Sequence, residues 1–421
     1  MYDRALQALV KLALEPEWEA VFEPNSYGFR PGRSAHDAIT AIFLAIRSKP
    51  KYVLDADISK CFDRINHERL LYKLNTFPTF RRQVRAWLKS GAMEGKEFSP
   101  TSEGTPQGGV ISPLLANIAL HDMENQIKAI AHTFDMIGSN GLQISRRDKQ
   151  NSVSVIRYAD DFVVLHEDLA VVHRCKEVIT EWLADMGLEL KPSKTRIAHT
   201  LKNNENEKAG FNFLGFNIRQ HKVGQYTSGR ESHGQVLGSK TLITPSKESQ
   251  ERHYRRIGEV IDEHKGQSQV VLIAKLNPII RGWCNYFSIG VITKGFSRLQ
   301  HLMFWKLFKW GVKRHPNKGR KWVKSKYFRT IGGDKWTFAT PREGSNPMVL
   351  IKHSQTAIVR HVKVKGDKSP YDGDLIYWSS RMGKHPEMPK RTASLLKKQK
   401  GKCAHCGLFF RDGDLLEVDH I

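Results

Sequence analysis

Apolar positions recur at helical spacing from the start of the chain, and residues 4–14 (Arg-Ala-Leu-Gln-Ala-Leu-Val-Lys-Leu-Ala-Leu) predict a helix that Pro16 closes. A second helix is expected from about His36 to Arg47. Tyr52-Val-Leu-Asp-Ala-Asp-Ile58 then reads as a buried strand interrupted by Asp55 and Asp57, and strand alternation puts those two on one face. Helices follow near 66–75 and 80–90, and a Gly/Pro loop from Glu103 to Pro113 leads into a helix over 114–130. Beyond a polar insert at about 138–152, a hairpin is expected: Val153–Tyr158, a tight turn at Ala159-Asp160-Asp161, then Phe162–His166. A helix over 169–186 and short strands at 194–199 and 211–218 complete an α+β body, set at residues 1–220.

From His221 to Ser246 the chain becomes rich in Gly, Ser and His, which predicts a linker over 221–247. Helical patterns resume at about 248–264, 269–282 and 296–313, within a domain set at 248–330. A basic, less periodic region covers 331–392, and a segment of different character covers 393–421, with Cys403-Ala-His-Cys406 and Val418-Asp-His-Ile421.

The 421 residues suggest about three domains, and 40% hydrophobic content supports buried cores rather than a disordered chain. No apolar run approaches the ~18 residues of a membrane span and no signal peptide opens the chain, so a cytoplasmic protein, bacterial or within an organelle, is expected. Five scattered cysteines do not make a disulfide framework. The net charge of +24 is lopsided: residues 1–200 hold 26 basic against 25 acidic side chains, residues 201–421 hold 41 against 18. Positions 301–400 alone carry 24 basic and 6 acidic residues, interleaved with Trp305, Trp310, Trp322 and Trp336. A neutral body joined to a basic half fits a catalytic domain with a polyanion-binding module, against the plainer reading of a basic soluble surface.

Three aspartates stand where charge is expensive. Asp57 ends an apolar strand, and Asp160 and Asp161 fill a tight turn between two others. Alone, Asp160-Asp161 is an ordinary hairpin turn; with Asp57 about a hundred residues earlier, a Mg²⁺ site is the better reading. Two such ions activate an attacking 3′-oxygen and stabilise leaving pyrophosphate.

Tyr158-Ala-Asp-Asp161 resembles the signature turn of reverse transcriptases, and Asp57-Ile-Ser-Lys-Cys-Phe62 resembles their first catalytic motif. Asn25-Ser-Tyr-Gly-Phe-Arg-Pro-Gly-Arg-Ser-Ala-His-Asp37 and Gly104-Thr-Pro-Gln-Gly-Gly109 resemble the group II intron-encoded proteins, which are reverse transcriptases, RNA maturases and often DNA endonucleases. The resemblance implies a right-hand polymerase palm with partial fingers, an α-helical thumb/maturase domain (Asn277 to Phe287 carries that likeness), a basic DNA-binding region and a truncated HNH zinc module. It implies metal-ligand roles for Asp57, Asp160 and Asp161, with the Ile58 carbonyl helping. Phe62 matches the residue that excludes a ribose 2′-hydroxyl, or is a core aromatic. Gln107 matches a residue beside the incoming nucleotide and template, and Lys194 one near primer and nucleotide phosphates. Arg4 matches a triphosphate grip, while Arg30 and Arg33 match residues that track template or phosphate. Gly215 matches the primer grip, or marks a strand bulge.

In the last segment, Cys403 and Cys406 have zinc-ligand spacing, and Glu417-Val-Asp-His-Ile421 resembles the opening of an HNH nuclease motif, with His420 as general base beside Asp419. A second cysteine pair is missing, so Zn²⁺ is expected only if other ligands are supplied, and no competent nuclease is expected. Met1-Tyr-Asp-Arg4 looks like the interior of a fingers motif, so a fragment of a longer protein is expected. The implied partners are group II intron RNA, an RNA template, a DNA primer or target, and dNTPs, with no membrane. The implied function is RNA-directed DNA synthesis with assistance to intron splicing and mobility. The alternative is a splicing-only maturase or an inactive fragment.

Overall fold

A computed structural model describes the chain except for residues 1, 91, 95–96, 100–102, 106–107, 138–140, 205–206, 231–233, 342–345, 386, 412 and 420–421, and except for the side chains of 91–100. The elements run α1 (Tyr2–Val21), α2 (Ala35–Ile46), β1 (Tyr52–Asp57), α3 (Cys61–Arg64), α4 (His67–Leu74), α5 (Pro78–Leu88), β2 (Ala92–Glu94) and β3 (Glu97–Ser99). Then come α6 (Ser112–Ala119), α7 (Met123–Ile130), α8 (Arg146–Ser152), β4 (Ser154–Tyr158), β5 (Asp161–His166), α9 (Leu169–Asp185) and β6 (Arg196–His199). The basic half contains β7 (Phe211–Phe213), β8 (Phe216–Lys222), β9 (Ser239–Pro245), α10 (Lys247–Glu263), α11 (Gln269–Phe287), α12 (Thr293–Arg314), α13 (Arg320–Tyr327), β10 (Phe328–Ile331) and β11 (Asp334–Phe338). Helices α14 (Leu375–Met382) and α15 (Lys390–Lys398) follow.

Two compact units result. The first joins residues 1–199 and 203–207 to 362–421; the second comprises 200–202 and 208–361. This differs from the expected serial order of domains: the stretch assigned to the basic DNA-binding region and nuclease remnant is divided, and its later part packs into the first unit. Buried contacts make it so. Asp37, fully buried on α2, accepts from the Val364 amide at 2.8 Å and from Arg381 at 2.5 Å. The Trp378 ring lies where a side chain on Gly32 would have to sit.

In the first unit the four-stranded sheet runs β4-β5-β1-β6, with β5 and β6 both antiparallel to β1. Its core gathers Leu54, Ala56, Ile58, Val155, Phe162 and Val164 from the sheet with apolar faces of the helices. Helix α1 runs through Pro16 instead of stopping there. Val10, Leu14 and Trp18, spaced four apart, bury one continuous stripe, and this outweighs the single main-chain bond that proline deletes. The expected helix over 114–130 is two helices, because Asp122 takes a left-handed φ of 83° between α6 and α7. The Lys73 ammonium takes the carbonyls of Ala119 and His121 at that break.

In the second unit, β7-β8-β9 form an antiparallel sheet, so the expected linker holds a strand. The register pairs Phe216 with Pro245 and Lys222 with Ser239. The expected strand over 211–218 is two, β7 and β8, and β8 runs on to Lys222 with Phe216, Ile218 and Gln220 buried in alternation. Helices α10, α11 and α12 enclose an aromatic core in which Trp283 stacks on His253, their centroids 4.4 Å apart.

Candidate active site

Strand β1 delivers Asp57 to the end of the sheet, directly across from Asp161, the first residue of β5. The β4–β5 turn that carries Asp160 is held in an unusual shape: Ala159 has φ 57°, a left-handed value for a residue with a side chain. Three neighbours hold it there. The buried Arg157 guanidinium donates to the Ala159 carbonyl at 3.3 Å and to Asn117 Oδ1 at 3.1 Å. Asn117 Nδ2 donates onward to the Gly28 carbonyl at 2.8 Å. The segment 25–28 runs alongside, with the Tyr27 amide on the Arg157 carbonyl at 2.9 Å, and a Cβ on Gly28 would fall on the Ala159 amide nitrogen. The Asn25–Ser34 loop thus moulds the aspartate turn.

Asp57 is 8% exposed, and its backbone is fixed by the Lys191 amide on its carbonyl at 2.8 Å. The Ile58 amide bonds the Asp160 carbonyl at 3.3 Å, tying the strand end to the turn. Burial raises the Asp161 carboxyl to about 6, with Asp160 and Asp57 adding to the rise. Asp160 is also raised, by burial first and Asp57 after an opposing backbone bond. Lys194 answers this negative charge: its ammonium contacts Asp57, and that bond raises the lysine above its usual range. Asp55, on the same strand face, is instead paired with Arg196 at 3.1 Å.

An all-oxygen donor set in which burial and neighbouring carboxylates raise Asp160 and Asp161, with an ammonium resting on Asp57, suits a hard divalent cation. Among the described residues no three His, Cys, Asp or Glu side chains are already gathered about a single point as a metal cage.

Phe62 is half-buried, edge-on to the exposed Phe29 with centroids 6.0 Å apart. Its carbonyl receives the Thr105 amide at 2.5 Å, and Gly104 donates to the Ile65 carbonyl at 2.8 Å, so the Gly-rich loop is anchored on α3. Gly104, at φ 85°, leaves no room for a side chain against the Asp63 backbone. Gln107 in that loop lies outside the described residues, as does His420.

The arginine expectations need correction. Arg30 is 4% exposed and gives Nε and Nη2 to Glu19, both at 2.9 Å, and Nη1 to the Glu23 and Ser26 carbonyls. Arg33 is likewise buried and donates to the carbonyls of Pro24, Gly366 and Lys368. Both guanidinium groups are buried within the fold and bonded to carboxylate or main-chain oxygens, so they do not face phosphate. Arg4 is exposed on α1. Gly215 is a turn residue rather than a strand bulge: Leu214 and Gly215, at φ 48° and 79°, join β7 to β8, as a two-residue hairpin requires. Arg157 and Asn117 were missed; the signal for Arg157 was a cation on an apolar strand next to the Tyr-Ala-Asp-Asp turn.

Cys403 is half-buried and Cys406 exposed, in a tight turn where the Gly407 amide bonds the Cys403 carbonyl at 3.0 Å. Amides of Cys406 and His405 hold the Cys403 thiol below its usual range. Asp419 is exposed. No third ligand joins the two cysteines among the described residues. No helix among the described residues is long and apolar enough to cross a membrane.

Residues 1–218 match the reverse transcriptase (RNA-dependent DNA polymerase) family, and residues 250–328 match the group II intron maturase-specific domain. Similar proteins include the group II intron-encoded protein LtrA of Lactococcus lactis subsp. cremoris, 26% identical over 74% of this chain and 61% of that protein. Protein YkfC of Escherichia coli is 33% identical over 51% of this chain and 60% of its own length. An uncharacterized 91 kDa protein in the cob intron of Schizosaccharomyces pombe is 28% identical over 68% and 40%. The chain therefore spans two fifths to about three fifths of these relatives' lengths. With its paired strands, moulded aspartate turn and both matching regions in place, the chain belongs to the reverse transcriptases, in the branch that carries a group II intron maturase domain.

Proposed function

We propose that the chain is an RNA-directed DNA polymerase of a mobile group II intron whose basic half binds the intron RNA and assists its splicing. The observation that carries the polymerase reading is Asp57 facing Asp161 across β1 and β5, with Asp160 adjacent in a braced turn. In this reading residues 1–220 supply palm and partial fingers, and residues 248–330, with α10–α12, supply the thumb and maturase helices.

Asp57, Asp160 and Asp161 would hold two Mg²⁺ ions, with the Ile58 carbonyl as a further oxygen. When bound, those ions supply activation of the primer 3′-oxygen and charge neutralisation at the leaving pyrophosphate. Lys194 neutralises Asp57 and lies close enough to Asp160 and Asp161 to be influenced by both, a position from which its ammonium can meet nucleotide phosphates. Phe62, packed by Phe29, would crowd a ribose 2′-hydroxyl and favour dNTPs. Gln107 would lie beside the nucleotide and template, Arg4 would reach the triphosphate, and the Leu214–Gly215 turn would approach the primer. Cys403 and Cys406, with Asp419 and His420, are read as the start of an HNH nuclease whose zinc site needs further ligands.

The test is primer extension by the full chain on an RNA template with Mg²⁺, beside Asp160→Ala/Asp161→Ala. Extension that needs both aspartates supports the polymerase. A folded chain that binds RNA but extends nothing would leave a splicing factor instead.

A further inference from the structure

Helices α10 and α12 enclose a cavity of about 340 Å³ in the second unit. Lys306, Lys309, Trp310, Lys313 and Arg314 recur three or four apart, so α12 presents them as one stripe along its wall. On the opposite wall Gly258 makes the room: a Cβ there would come within 2.6 Å of the Lys306 ammonium. Lys306 rests 4.7 Å above the Tyr254 ring and Arg314 5.2 Å from the Trp310 ring. Arg314 also donates to the carbonyls of Lys265 and Gln267 at 2.8 and 2.7 Å, so it is held in place without an ion pair among the described residues.

The acidic side chain lining the cavity, Asp262, is an exposed partner of Lys265 at 3.4 Å. Among the described residues Lys306, Lys309 and Lys313 form no ion pair. Trp310 is 5% exposed, and its indole N–H has no acceptor. A recess lined by lysines and an arginine calls for a compact, acceptor-only anion.

We propose that this cavity is a phosphate seat, taking backbone phosphates of a folded RNA at a point where the strand bends into the wall of the unit. The inference rests on the reading that the basic half binds RNA. It adds that part of the affinity is local to one recess rather than spread over net charge.

The experiment compares the intact chain with Lys309→Gln/Lys313→Gln and Lys306→Met, and with Lys321→Gln/Lys326→Gln as an equal loss of charge elsewhere. Inorganic tripolyphosphate is the first probe, read by the ¹⁵N-indole signal of Trp310, which Trp310→Phe identifies. The signal should move on titration, and affinity should fall at least tenfold in the cavity variants but not in the control. A structured RNA is the second probe: the slope of log affinity against log salt should drop by about two in Lys309→Gln/Lys313→Gln, with a larger loss of affinity than the control suffers. Equal losses in cavity and control variants overturn the proposal while leaving RNA binding intact. Tripolyphosphate binding with unchanged RNA affinity overturns the backbone assignment in favour of a free polyphosphate ligand. An intact chain that fails to bind RNA at low salt removes the underlying reading itself.

Discussion

The ammonium of Lys194 rests on the carboxylate of Asp57, 137 residues away in sequence. The contact sets a resident cation against a carboxylate proposed to receive Mg²⁺, so lysine and metal compete for one oxygen pair. Lys194→Gln should therefore tighten Mn²⁺ binding, measured by EPR, by about three- to tenfold; the ammonium is half-exposed, which limits the pair to ~1 kcal/mol. The same change should slow primer extension. Unchanged or weaker Mn²⁺ binding would rule out competition.

Asp161 gives the first unit a pH signature. Its carboxyl titrates near 6, raised by burial and by its two acidic neighbours. A raised carboxyl favours the fold below the unfolded value of 3.8 and loses that contribution as pH climbs through about 6. Asp161→Asn should stabilise the metal-free chain by about 1–2 kcal/mol at pH 7.5, after discounting for partial exposure. The gain should shrink towards pH 4 and reverse under saturating Mg²⁺. Urea unfolding at three pH values reads it; a pH-independent gain contradicts the account.

The buried Arg30–Glu19 pair makes the opposite kind of claim. Both side chains are 1% exposed and joined at two points. Glu19→Gln or Arg30→Met should cost about 3–5 kcal/mol, because each leaves a buried charge or its donors unanswered. Thermal unfolding measures this. A variant of normal stability with raised nucleotide KM would restore Arg30 to the substrate.

In the second unit, His253 and His353 share one hydrogen bond between their Nε2 atoms at 2.8 Å, so one ring donates and the other accepts, and both are neutral. Burial lowers them to about 3 and about 4, with His353 adding to the lowering of His253. The unfolded chain takes up protons first, and stability should fall as pH drops from 6.5 towards 4, by about 1.4 kcal/mol per pH unit for each ring. Unfolding of the full chain, followed by Trp283 fluorescence in a background lacking the other tryptophans, tests it. A flat profile between pH 7 and 5 would refute the neutral pair.

The strand with Asp57 and the aspartate hairpin were legible in sequence because their signals are local: an apolar run, a turn, then another apolar run. What escaped was decided at a distance. Pro16 could not stop α1 because Val10, Leu14 and Trp18 share a core stripe. Arg30 looked like a surface cation because Glu19 is its partner only after the chain folds back. The hairpin after Lys222 was concealed because its turn-rich composition hid the alternation of Ile243 and Pro245 opposite Phe216 and Ile218. Nothing near Asp37 indicates that Arg381 will find it.

That last pairing sets an order of events during synthesis. Asp37 leaves the ribosome 344 residues before Arg381, roughly 17–70 s earlier at elongation rates of about 5–20 residues per second. Residues 208–361 form a contiguous stretch whose partners have all emerged by then. The inserted unit can mature while its host still waits for a counter-ion. The first unit is thus completed after the second, although most of it is made first.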